Sequence, residues 1–223
     1  MNDARKPATG SRVTRVAAIV VALVLLAGLL HWLWVSDARQ GRALEQRGAV
    51  VTRDWTRLGR PIVVVNLSTH SSNTLDKGII RDDDVPLDEL KGLADLQELY
   101  LSNSSAITDK TLARLPSLGL SQLRLLDIQL TGISGDGLKY VKELPTLRTL
   151  WLSGTKIDSG LGHLSGMQHL ESLTLMQTDV SDAGLASLKD LPKLKSVDLV
   201  GTNVTDAGVS EFKKANPNAQ VLR

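Results

Sequence analysis

Among the residues of this chain that could do chemistry are two histidines, His163 and His169, and three consecutive aspartates, Asp82-Asp83-Asp84. Two histidine ligands on one helix face need a spacing of three or four residues. These are six apart, with no third ligand beside them. A calcium loop needs alternating oxygen ligands and a glycine at its turn. The aspartate run has neither and reads as a solvated loop. Gly132-Ile133-Ser134-Gly135-Asp136 approaches the G-x-S-x-G nucleophile elbow and fails at its last position. Cysteine is absent, which removes disulfides, thiol nucleophiles and thiolate metal sites. No phosphate-cradling glycine loop precedes a helix. These residues therefore imply no cofactor, no metal and no enzyme.

A second set is better placed for recognition than for reaction: Tyr100, Asp127, Leu130, Trp151, Thr174, Met176, Asp198 and Val200. The elements that position them come from a sequence that repeats itself. Segments starting at Leu96, Leu123, Leu147, Leu170 and Leu194 share the pattern L-x-x-L-x-L, with spacings of 27, 24, 23 and 24 residues. In this pattern the last two leucines alternate with one other residue, the period of two that marks a strand. Leu99 and Leu101 therefore point inward and Tyr100 outward. By the same alternation Tyr100, Asp127, Trp151, Thr174 and Asp198 form one outward ladder. Leu125, Leu130, Met176 and Val200 lie beside it.

After each strand a threonine recurs at Thr131, Thr155, Thr178 and Thr202. Its hydroxyl can bond exposed turn backbone, and stacked copies are expected to satisfy each other's loops. An inward Ile or Val follows. Then comes Ser/Thr-Asp, as in Thr108-Asp109, Ser181-Asp182 and Thr205-Asp206. The hydroxyl residue suits a helix N-cap, and Asp suits the positive end of the helix dipole. A short helix then buries residues three apart, such as Leu185 and Leu188. Pro116, Pro145 and Pro192 stop it. Alone, one unit cannot bury its leucine face; stacked, the units build a continuous core. The composition agrees: 42% of residues are apolar but only 3% aromatic, so the core is aliphatic.

The signature L-x-L-x-G-T-x-V-T-D-A-G-L resembles the leucine-rich-repeat family, the ribonuclease-inhibitor-like solenoids. It looks closest to the Thr-rich bacterial variety abundant in planctomycete proteins. The resemblance covers about residues 61–223 and is most specific from Leu123 onward. It implies an α/β fold: a right-handed solenoid with parallel strands on its concave face and short helices on its convex face. About five clear repeats follow a degenerate first one. The third repeat departs from the pattern. Ile157-Asp158-Ser159-Gly160-Leu161 is one residue short, which puts its helix start in question.

Val16 to Val35 is a 20-residue apolar run, interrupted only by His31 near its end. A helix of that length spans roughly 30 Å, the thickness of a bilayer core. Trp32 and Trp34 mark an interfacial exit. Arg5, Lys6, Arg12 and Arg15 before the span slightly outweigh Arg39, Arg42 and Arg47 after it. The bias predicts residues 1–15 as a cytoplasmic tail, 16–35 as a single transmembrane helix, and an extracytoplasmic repeat domain. A cleaved signal peptide is the rival reading. Residues 36–60 read as juxtamembrane linker and N-terminal cap, with a short helix over Ala38–Gln46 and an edge strand over Ala49–Arg53. A polar insertion occupies residues 68–84, and Val221-Leu222 reads as a last strand fragment.

From Lys91 onward, 14 basic residues meet 14 acidic ones, while the first 90 residues hold 12 basic against 10 acidic. A balanced repeat domain carries no nucleic-acid footprint. Asp127 and Asp198 stand three strands apart, roughly 14 Å, too far to act as a carboxylate pair. The expected function is a membrane-anchored scaffold. It binds a protein or a cell-envelope polymer through the concave face. An adaptor or regulatory subunit of a membrane complex is the alternative.

Overall fold

The computed structural model describes residues 25–26, 38–47, 49–54, 62–68 and 85–223. The expected span Val16–Val35, apart from the helical and exposed Leu25 and Leu26, lies outside these residues, as does the insertion beyond Ser68. Among the described residues no helix is long and apolar enough to cross a membrane.

Eight strands form one sheet in chain order: β1 (Val50–Arg53), β2 (Ile62–Asn66), β3 (Glu98–Tyr100), β4 (Leu125–Asp127), β5 (Thr149–Trp151), β6 (Ser172–Thr174), β7 (Ser196–Asp198) and β8 (Gln220–Leu222). β1 runs antiparallel to β2, and every later pair is parallel. Parallel neighbours need a crossover between them. Short helices supply it: α2 (Asp109–Arg114), α3 (Leu138–Val141), α4 (Asp182–Ala186) and α5 (Asp206–Ala215). An earlier helix, α1 (residues 38–46), buries Leu44 and precedes β1. Arg47 pairs with Glu89 at 3.0 Å, tying the end of α1 to the degenerate first repeat.

The register puts Val65, Leu99, Leu126, Leu150, Leu173, Val197 and Val221 in one row across β2 to β8. All but Val221 are buried. A second inward row, Leu101, Ile128, Leu152, Leu175 and Leu199, is also buried. Each leucine thus stacks on its copy in the next repeat, and the core is one continuous cluster.

The third repeat, one residue short, forms a 3-10 helix over Asp158–Leu164 in place of an α-helix. A 3-10 turn rises about 2.0 Å per residue against about 1.5 Å for α, so fewer residues cover the same path.

The threonine ladder needs correction. Thr131, Thr178 and Thr202 donate to the carbonyls of Ile128, Leu175 and Leu199 at 2.7, 2.6 and 2.7 Å, and Thr155 does the same to Leu152. Each hydroxyl closes its own turn. Neighbouring turns are already joined through backbone: Asn103, Leu130, Gly154 and Gln177 donate N–H to Gln129, Ser153, Met176 and Val200.

Side chains do link repeats, but at the helix starts. Asp109 accepts the N–H and hydroxyl of Ser134 in the next repeat at 2.8 and 2.6 Å. Asp158 holds Ser181 at 2.9 and 3.0 Å, and Asp182 holds Thr205 at 2.7 Å through both groups. These bonds, the side-chain one foremost, hold the Asp182 carboxyl below its ordinary range. The glycine three residues after each cap makes room. A Cβ on Gly137, Gly184 or Gly208 would collide with Asp109, Asp158 or Asp182. Asp136 stands one place later than its counterparts, and there Gly135 and Gly160 meet backbone to backbone instead.

Candidate binding face

One side of the sheet packs on the helices; the other carries the outward ladder. Tyr100, Asp127, Trp151, Thr174 and Asp198 are register partners on β3 to β7, preceded by Asn66 on β2 and followed by Leu222 on β8. The parallel ladder below it is Glu98, Leu125, Thr149, Ser172 and Ser196. None of the ten is basic. At the strand exits Gln129, Ser153, Met176 and Val200 follow in the same outward parity.

One strand, β4, lies between Tyr100 and Trp151, yet their rings meet edge to face, with centroids 6.1 Å apart and planes at 64°. The two side chains lean toward each other over the strand that carries Asp127. Asp127 is only 5% exposed although it stands on the outward face. Its Oδ1 accepts the backbone N–H and the side-chain Nε2 of Gln129, both at 3.1 Å. Among the described residues no hydrogen bond reaches Oδ2 and no ion pair reaches the carboxylate. Tyr100 donates its hydroxyl to Glu98 at 2.8 Å. Burial first, then that bond and the nearby charges of Glu98 and Asp127, push its phenol up to about 12.

The same local bond recurs along the ladder. Asn66 accepts the N–H of Ser68 at 2.8 Å, and Asp198 that of Val200 at 3.1 Å. An Asn or Asp at this position closes the strand exit by accepting from the amide two residues on.

Leu130, beside the ladder, belongs to the turn after β4. It sits at φ +52°, where the equivalent residues are Asn103, Gly154, Gln177 and Gly201. Holding a leucine in left-handed backbone costs of order 1–2 kcal/mol. It is nevertheless 54% exposed, and it occupies the space where a Cβ on Gly154 would sit. Val200 is exposed at the same rim, and Met176 is half-buried. Ser153, two residues after Trp151, has a buried Oγ without a hydrogen-bond partner among the described residues. Neither Gln129, which holds Asp127, nor Ser153 was visible as a site residue in the repeat pattern, because both sit at its variable position.

Before the strands Arg124, Arg148 and Lys195 make a basic margin, and two of the three are paired within the chain. Glu171 binds Arg148 at 2.8 Å and Lys195 at 2.6 Å, and these bonds, Lys195 first, lower its carboxyl from the ordinary range. The histidines stay apart from this face. His163 is exposed, and His169 Nδ1 lies 3.1 Å from Lys193 Nζ. Among the described residues no three His, Asp or Glu side chains come together as a metal site; Asp82, Asp83 and Asp84 lie outside them. On the helix side a groove of about 670 Å³ runs between α4 and α5, lined by Ala183, Ala186, Ala207 and Phe212 with Lys189 and Glu211.

No curated protein sequence matches the chain. Among solved structures, an internalin from Listeria monocytogenes is similar at 25% identity with a TM-score of 0.45, over 58% of this chain and 35% of the internalin. The chain thus spans about a third of that protein's length. A family model described as Leucine Rich repeat matches twice in succession, at residues 166–189 and 190–213. Those adjoining matches make residues 166–213 similar to leucine-rich repeats, and the parallel sheet, one strand per repeat, continues through the rest of the stack.

Proposed function

We propose that this chain is a membrane-anchored binding scaffold whose open strand face engages a protein or a cell-envelope polymer. The anchor is the apolar run Val16–Val35, with the N-terminus in the cytoplasm and the repeats outside it. Leucine-rich-repeat domains typically bind proteins, without catalysis. The observation that carries the reading is Trp151. It stands mid-ladder on the outward face, half-buried, and fills no place in the leucine core. Large aromatics so placed dominate interface energetics. Around it Tyr100, Thr174, Met176 and Val200 offer apolar contact, while Asp127 and Asp198 add negative charge.

The test uses the full chain in its own membrane. A photoreactive residue replaces Thr174 on the strand face or Lys189 on the helix face, and spheroplasts are irradiated and then treated with protease. Adducts from position 174 alone, on repeats that protease removes without detergent, are the expected result. Adducts from 189 alone would move the site to the helix face. Repeats shielded from protease, or a soluble product beginning near Arg39, would contradict the topology.

A further inference from the structure

The strand face carries a charge that the fold itself does not need. Asp127 closes the exit of β4 through Oδ1, and Asn66 makes the equivalent bond from β2 with a neutral amide. A carboxylate therefore adds nothing to that local role. It does add a desolvation cost, because Asp127 is 5% exposed, and acidic side chains are seldom this buried without a paired cation. No such cation comes from the described residues, and the ten ladder positions supply none.

What surrounds Asp127 is what a cation would need. The rings of Tyr100 and Trp151 meet over its strand at 6.1 Å. An aromatic face attracts a cation within about 6 Å of its centroid, and a neighbouring carboxylate strengthens the pairing with a charge-assisted hydrogen bond. Oδ2 is free to accept it. Ser153 Oγ, buried and unpartnered in the following turn, adds a polar contact on the same face. Planar guanidinium can stack on an indole and bond a carboxylate at once, which ammonium cannot do in that geometry.

We infer that Tyr100, Asp127 and Trp151 form a receptor for a cationic side chain, arginine by preference, presented by a protein partner. This rests on the strand face being the binding face and names the chemistry it recognises. The polymer alternative then becomes an outcome of the test.

The experiment uses the full chain in nanodiscs with Trp32→Phe, Trp34→Phe and Trp55→Phe, so that Trp151 is the one indole. Its fluorescence is titrated with N-acetyl-arginine amide and with the isosteric, uncharged N-acetyl-citrulline amide. The expected result is a saturable change with half-saturation at least about tenfold lower for the arginine compound. Asp127→Asn, which keeps the Oδ1 bond, should bring that ratio to about one while leaving the melting temperature unchanged or higher. Equal responses to the two compounds, no saturable response to either, or a preference that survives Asp127→Asn would overturn the inference. If those results came with adducts still forming at position 174, the strand-face reading would stand and the partner would be read through uncharged contacts, as a neutral polymer requires.

Discussion

Tyr100 shows how much one outward residue can report. Its phenol, pushed up to about 12, holds its proton more tightly in the folded chain than in the unfolded one. The linked stability is fully present below pH 10, the ordinary value for a tyrosine, and is lost as pH rises from there through about 12. Tyr100→Phe should flatten that alkaline loss of stability, measured by denaturant unfolding at a series of pH values. An identical alkaline profile in the variant would mean that burial and the bond to Glu98 do not raise the phenol in the folded chain. The inward side follows a different rule. Leu175 is fully buried with a leucine-row neighbour on each side. Leu175→Ala should cost about 2–5 kcal/mol in a urea titration, against no more than about 0.5 kcal/mol for its outward neighbour Thr174→Ala. Equal costs would put the strand register out by one residue. That register was legible in the sequence because the period of two is repeated five times over. The lean of Tyr100 onto Trp151, and with it the burial of Asp127, was not. It depends on rings reaching across an intervening strand, which no pattern along one strand records.

At the scale of the element, the T-D-A-G motif turns out to join two repeats rather than to start one helix. Ser/Thr and Asp were readable as cap and dipole partner. The contact from Asp158 to Ser181 was not, since it depends on how far one repeat steps from the next. The glycine exposes the difference. In an ordinary helix Gly→Ala stabilises by up to about 1 kcal/mol. Gly184 faces the carboxylate of Asp158, so Gly184→Ala should instead destabilise by about 1–3 kcal/mol. A Cβ on Gly162 would meet only the Ser187 side chain, at an ordinary contact distance of 3.9 Å, and its backbone is not left-handed. Gly162→Ala should leave stability unchanged or raise it. Thermal unfolding of the two variants checks the opposed signs. Two stabilised variants would remove the interlock from the account. The same geometry explains why the threonine spacing alone does not place its bonds: a hydroxyl beside a turn has two possible carbonyl neighbourhoods, and only the stacking decides between them.

For the whole molecule, stacked identical layers separate stability from recognition. The core rows and the helix-start links hold the solenoid, and the outward ladder is left to vary. That is why the architecture could be read from leucine spacing alone, whereas the proposed binding face rests on parity and its proposed partner on the chemistry around Asp127. The central claim is that this face binds. Its most direct test is the equilibrium affinity of the full chain for the partner recovered at position 174, compared between the native sequence and Trp151→Ala, with circular dichroism as the control for folding. Trp151 contributes nothing to the leucine rows, so the variant should keep its spectrum. Its affinity should fall by about 2 kcal/mol or more, roughly thirtyfold. Undiminished affinity in a folded Trp151→Ala protein would contradict the account and take the site off the strand face.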